Sequence, residues 1–264
     1  MKRKLYTLYL AVALLLTACG QTAPIQETTA PAQTTRAETT APAETVQETI
    51  QPTTVPAPTE PEITAPDSLL DILAENNIAL QDLAFLGCTQ LVTVVAEGTT
   101  AQIDLYILEN YQWQKTALHC DGYVGKNGTT AEKQEGDKAT PKGLYPITEA
   151  FYIQDAPRTG LPLFQITEDT YWVDDPASKY YNKRVEGLEN KDWTSAEQMI
   201  RYSSYYEYGF VVGYNTEGIP DAGSAIFMHV SNRYTAGCIA TDRDFLLQYL
   251  AILSEEKTPY ILID

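Results

Sequence analysis

Ser224-Ala-Ile-Phe-Met-His229-Val-Ser-Asn-Arg233-Tyr-Thr235-Ala-Gly237-Cys238-Ile239 reads as an apolar strand ending in a histidine. A polar turn follows, and then a Gly-Cys step that enters a second β-rich run. The 264-residue chain holds only two histidines and four cysteines, so a Cys–His pair has few ways to form. A cysteine needs such a partner to be a thiolate at neutral pH, because its free pKa is about 8.5. A Gly-Cys step after a turn can also leave the N–H groups of Gly237 and Cys238 facing a developing oxyanion. On pattern alone the alternatives stand level: His229 as a satisfied core residue and Cys238 as a buried structural thiol.

Outward from this stretch the pattern is mainly that of strands. Leu91 to Val95 and Ile103 to Leu108 are β-rich runs split by a hairpin turn at Glu97-Gly98. Trp113 to Tyr123 is a third strand, and Asn127-Gly128 is a turn that favours φ > 0 at both positions. Thr140-Pro141-Lys-Gly143 punctuates the entry to another strand. The run from Tyr171 to Gly209 is aromatic, charged and poor in aliphatics, as expected of long loops over a sheet. Its tyrosine cluster Tyr202, Tyr205, Tyr206 and Tyr208 is either surface packing or substrate-facing. Phe210 to Tyr214 and Pro259 to Ile263 are again strands. Helical spacing occurs in residues 67–87 and from Asp242 to Leu253, where Asp242 is a candidate cap. The expected fold is mostly β with few helices, preceded by a short N-terminal helical segment.

The first 19 residues are a targeting segment. Lys2, Arg3 and Lys4 precede an apolar stretch shorter than the roughly 20 residues a spanning helix needs. It ends in Leu16-Thr-Ala-Cys19, which resembles a bacterial lipobox and implies lipidation of Cys19; an ordinary secretory signal is the alternative. Either places the protein outside the cytoplasm, and the lipobox would anchor it in the bacterial membrane facing the cell wall. Residues 20–66 are rich in Thr and Pro with no aromatic residue, a composition that cannot offset chain entropy by burial and reads as a disordered tether. Residues 67–87 form the helical lead-in and 88–264 the main domain. A net charge of −17 argues against nucleic-acid partners, and substrate binding must rest on a local site rather than overall attraction.

Cys88 and Cys120 are a candidate disulfide outside the cytoplasm, with two buried free thiols as the alternative. Pairing them would leave Cys238 as an unpaired, reactive candidate. His119 sits next to Cys120, and neighbours on a strand point to opposite faces. Neither the spacing nor the number of ligands suits a metal site, and no cofactor motif stands out. Ser224 and Ser231 lack the nucleophile-elbow pattern of Ser-His-Asp hydrolases.

His229 with Thr235-Ala-Gly-Cys238-Ile239 resembles the catalytic signature of the L,D-transpeptidases (YkuD-like domains). That signature usually reads His, a spacer, then Ser-His-Gly-Cys-Ile/Val-Arg. Gly125-Lys-Asn-Gly128, Glu135-Gly-Asp137, Thr140-Pro141-Lys-Gly143-Leu-Tyr145, Trp172-Val-Asp-Asp-Pro176 and Tyr181-Asn182 resemble its upstream segments. The resemblance covers roughly residues 88–264. It implies a β-sandwich or β-rich catalytic domain with Cys238 as nucleophile and His229 as general acid/base. It further implies that the Val230 carbonyl orients the histidine and that the Gly237 and Cys238 N–H groups serve the oxyanion. The implied reaction joins peptidoglycan stem peptides 3→3 through a thioester, without cofactor, and implies carbapenems as covalent inhibitors. Three positions depart from the pattern: Thr235 and Ala236 stand where Ser-His is usual, and Ala240 where an Arg is common. Arg233 or Arg243 is then the candidate substrate-binding cation, with Thr235 lining the pocket. An L,D-carboxypeptidase using water, a non-catalytic wall-binding lipoprotein of the same fold and a general cysteine peptidase are the alternative functions.

Overall fold

A computed structural model describes residues 61–264. The targeting segment, Cys19 and residues 20–60 of the expected tether lie outside the described residues. Two short helices open the described part, α1 (Asp67–Glu75) and α2 (Leu80–Phe85). The strands are β1 (Gln90–Glu97), β2 (Thr100–Glu109), β3 (Gln112–Tyr123), β4 (Thr129–Thr130), β5 (Thr140–Pro141), β6 (Gly143–Tyr152) and β7 (Leu163–Gln165). They continue with β8 (Thr170–Val173), β9 (Arg184–Glu186), β10 (Ala196–Gln198), β11 (Tyr208–Val212), β12 (Phe227–Val230), β13 (Ile239–Thr241) and β14 (Pro259–Ile263). The helix α3 (Arg243–Ile252) lies between β13 and β14.

Nine strands form one sheet in the order β11-β12-β13-β3-β2-β1-β14-β6-β7. The long strand β6 pairs with β14 through its first half and with β11 through its second. This links β11 back to β6, so the pairings run in a closed circuit rather than as two separate sheets. Gly209 in β11 leaves room for the Phe151 ring of β6 at that junction, where a Cβ would collide with the ring.

Alternation along the strands sorts side chains to two faces. Val92, Val94, Ile261, Ile263, Phe210, Val212, Met228 and Ile239 point to one core, filled by Leu246, Tyr249 and Leu250 of α3. Asp242 makes no side-chain cap, and Phe245 of α3 is exposed. On the opposite face Leu91 and Leu262 pack under Leu69, Leu73 and Leu83 of the lead-in helices. At the other end Phe151, Val211, Phe227 and Cys238 pack with Trp172, Met199 and Tyr206.

These faces decide the candidate disulfide against formation. Cys88 belongs to the cluster under the lead-in helices and Cys120 to the α3 core, on opposite sides of the sheet, and both are free thiols. Cys88 Sγ donates to Gln90 O, while Cys120 Sγ lies 3.2 Å from Thr241 Oγ1. Three further expectations change. The expected tether ends early: Thr64 bridges Gln112, and Trp113 N–H donates to Thr64 O at 2.8 Å. In the Asn127-Gly128 turn only Gly128 has positive φ. The expected loops of 171–209 contain the three-stranded sheet β10-β8-β9, whose three- and four-residue strands are too short to show a period.

Candidate active site

Strands β12 and β13 run parallel, with Met228 opposite Ile239 and His229 opposite Ala240. Met228 and Ile239 point into the α3 core. Their neighbours His229 and Cys238 are thereby turned to the other face, where both line one cavity of about 550 Å³. Both are nearly closed to solvent, at 6% and 8% exposure.

His229 Nδ1 lies 3.1 Å from Val230 O. A carbonyl only accepts, so Nδ1 carries the proton and the neutral imidazole keeps its lone pair on Nε2. The Tyr206 ring meets the imidazole edge-on at 5.4 Å, and Tyr205 flanks it at 6.1 Å. Burial lowers the His229 pKa to about 4, against the opposing pull of the Val230 bond. Burial likewise pushes the Cys238 thiol up to about 12, with the Glu197 carboxylate adding to it and the Phe227 N–H and Lys133 opposing. At rest the cavity therefore holds a neutral thiol and a neutral imidazole.

The thiol is held from behind. Cys238 Sγ donates to Ala225 O at 3.2 Å. Ala225 has φ 54°, a left-handed conformation that costs a non-glycine residue about 1–2 kcal/mol. Asn182 stabilises it by accepting from the Ala225 N–H and Trp172 Nε1 at 3.0 Å each, while its amide donates to Tyr214 O and Asn215 O. The neighbouring Ser224 hydroxyl and the Tyr181 hydroxyl both donate to Glu135 Oε2. Trp172, Tyr181 and Asn182, distant in sequence from the cysteine, thus build the wall it leans on.

The turn before Cys238 is fixed by hydroxyls. Thr235 Oγ1 donates to Cys238 O at 2.6 Å and accepts from the Gly237 N–H at 3.0 Å. Thr140 Oγ1 donates to the same carbonyl at 3.1 Å. Gly237 has φ 143°, a region open to glycine, and a Cβ there would stand 3.2 Å from Ala139 O. The expected oxyanion role of Gly237 is corrected, since its N–H is committed to Thr235. Among the described residues the Cys238 N–H has no acceptor.

The family model described as the L,D-transpeptidase catalytic domain (YkuD) matches residues 105–261. The chain belongs to this family. Among solved structures it is similar to the helical cell shape determining protein Pgp2 from Campylobacter jejuni, at 16% identity over 67% of this chain and 47% of that one, with a TM-score of 0.36. The K307A mutant of Pgp2 matches at the same identity and coverage, with a TM-score of 0.35. The chain thus spans less than half the length of these structures. No curated protein matches it.

Against the usual pattern of the L,D-transpeptidase family, Thr235 keeps the hydroxyl of the replaced serine and uses it inside the turn. Ala236 lines the cavity where a histidine is usual. Ala240, where an arginine is common, is fully buried opposite His229 and brings no charge. Cations reach the cavity from elsewhere. Arg233 lines it and stacks on Tyr205, also touching the Tyr205 hydroxyl. Lys133, its side chain 4% exposed, is held by Gln134 O and Asp137 Oδ1 at 2.7 Å each. Arg243 is corrected as a substrate cation: it pairs with Glu207 at 3.0 Å, stacks on Tyr208 and lies outside the cavity lining. Sequence reasoning also missed Lys133, Asp174 and Glu197. Lys133 is two residues from the Glu135-Gly-Asp137 motif, which was its one available signal. Tyr202, Tyr205 and Tyr206 of the tyrosine cluster line the cavity, whereas Tyr208 is buried in the α3 core.

Proposed function

We propose that the chain is an L,D-transpeptidase that forms 3→3 peptidoglycan cross-links, working outside the cytoplasm from a lipid anchor on Cys19. The observation that carries the reading is the β12–β13 register, which sets His229 and Cys238 on one face of one cavity with Val230 O holding Nδ1–H. The Cys238 S–H turns from Ala225 O, and His229 Nε2 takes its proton as Sγ attacks the carbonyl of the third stem residue. The peptide bond to D-Ala breaks, the histidine proton passes to the departing amine, and a thioester remains. An acceptor amine then attacks the thioester, gives its proton to His229 and releases the thiol. Because thiol and imidazole are neutral at rest, proton transfer accompanies attack rather than preceding it. The Cys238 N–H, free of internal acceptors, is the oxyanion donor. Lys133 and Arg233 receive the carboxylates of an anionic stem despite the acidic surface. Carbapenems, which resemble the acyl donor, are expected to acylate the same sulfur.

Muropeptide profiling of cell walls incubated with the full chain or its Cys238→Ala variant tests this. The reading expects 3→3 dimers with the native chain alone. Trimmed tripeptides without dimers would establish water as acceptor and an L,D-carboxypeptidase instead. Profiles identical for both proteins would leave the fold as a non-catalytic wall-binding module.

A further inference from the structure

Four cations and three carboxylates, Glu135 among them, line the cavity. Lys126 arrives on the loop between β3 and β4, Lys133 and Lys138 on the loop between β4 and β5, and Arg233 on the turn after β12. Facing them are two carboxylates the mechanism does not use. Glu197 is the middle residue of β10, opposite Trp172 in β8, and Asp174 follows β8 directly. Glu197 Oε2 accepts the Tyr206 hydroxyl at 2.8 Å, and its second oxygen makes no hydrogen bond. Asp174 Oδ1 is buried with no hydrogen-bond partner. Among the described residues neither carboxylate forms an ion pair, although four cations line the same cavity.

Both side chains are partly buried, and a carboxylate drawn from water into a cavity gains from a charge partner or hydrogen-bond donors. A group entering the cavity can supply both. A metal ion does not fit, since no three metal-ligating side chains come together among the described residues. A primary ammonium does fit: it brings one positive charge and three donors, enough for both free oxygens. The Tyr202 and Tyr206 rings, 5.5 Å apart, line the same cavity.

We propose that Glu197, backed by Asp174, is a specificity-determining residue that receives the primary ammonium of a diamino acid in the substrate peptide. This rests on the stem-peptide reading above, and the ammonium can belong to the acyl donor or to the acceptor, which then gives one proton to Glu197 before it attacks the thioester. Burial, with smaller contributions from Asp174 and Glu135 and against the Tyr206 bond, raises the Glu197 carboxyl to about 7. An arriving ammonium would draw it to the charged form.

Two arms separate the sources. In the first, the full chain carrying Cys238→Ala is titrated with the tetrapeptide L-Ala-D-isoglutamyl-L-Lys-D-Ala, either with a free lysine amine or Nε-acetylated. In the second, the native chain is acylated by the acetylated tetrapeptide, and the thioester partitions between water and a lysine-bearing tripeptide. The expected result is a preference of about ten- to a hundred-fold for the free amine in one arm. Glu197→Gln erases most of that preference, Asp174→Asn erases part of it, and Glu197→Asp retains part. A preference unaltered by Glu197→Gln in both arms, or no preference in either, overturns the proposal. If no peptide acylates native Cys238, the enzymatic reading fails on its own, while the binding arm still decides whether the ammonium is recognised.

Discussion

Replacing Thr235 by valine keeps shape and volume and removes one oxygen. That oxygen donates to Cys238 O at 2.6 Å and accepts the Gly237 N–H at 3.0 Å. Without it the buried Gly237 N–H loses its acceptor, which costs about 1–3 kcal/mol. The carbonyl still has Thr140 Oγ1 at 3.1 Å, so its loss falls at the low end of the roughly 0.5–1.5 kcal/mol of an ordinary hydrogen bond. Together these give about 2–3 kcal/mol, or a fall in Tm of about 5–10 °C for a domain of this size. Scanning calorimetry of wild type, Thr235→Val and Thr235→Ser checks the size, and rates of Cys238 acylation check the consequence. Thr235→Ser should stay close to wild type in both. Thr235→Val should melt lower and acylate more slowly, because the turn that aims the sulfur has lost its tie. A valine variant within about 1 °C of wild type would refute the claim that this hydroxyl holds the nucleophile turn.

Asn182→Ala removes two acceptor and two donor contacts behind Ala225, and should lower stability by about 2–4 kcal/mol in denaturant melts. An effect under about 0.5 kcal/mol would contradict the clamp. The Cys238 thiol, pushed up to about 12, should show no thiolate absorbance step between about pH 5 and about pH 9 in the difference spectrum against Cys238→Ser. A step near neutrality, lost in the variant, would mean a preformed ion pair. Glu197 titrates near 7 in the folded chain against an ordinary value of 4.5, so the folded state binds more protons in that window. Stability should therefore fall as pH rises from 4.5 to 7. Glu197→Gln should match wild type below the window and exceed it above by about 3 kcal/mol, whereas a constant offset would contradict this.

Much of this fold was legible because alternation survives in the longer strands. Val92 and Val94 against Leu91, or Met228 between Phe227 and His229, declare two faces before any partner is known. The Cys–His pair was legible for the same reason, since few histidines and cysteines compete for it. What escaped depends on register. No local pattern says that Cys88 and Cys120 end on opposite sides of one sheet, or that β6 turns from β14 to β11 along its length. Glu197 sits on, and Asp174 just after, a strand too short to carry a period, and the two come together only once β8 and β10 pair. Arg243 misled because nearness in sequence to Cys238 is not nearness in space: α3 begins there and turns its guanidinium to Glu207. Thr235 and Ala240 are two of the three departures from the family pattern, and only the structure shows that one keeps a hydroxyl's work while the other yields its charge to different residues.

Covalent capture at one sulfur bears most directly on the account. Intact-mass analysis of the full chain after exposure to a carbapenem or a stem tetrapeptide, followed by peptide mapping, should show one acyl adduct on Cys238. The adduct should be absent from Cys238→Ala and slowed strongly in His229→Ala. An unmodified native chain, or an adduct confined to Cys88 or Cys120, would contradict the assignment of Cys238 as the nucleophile.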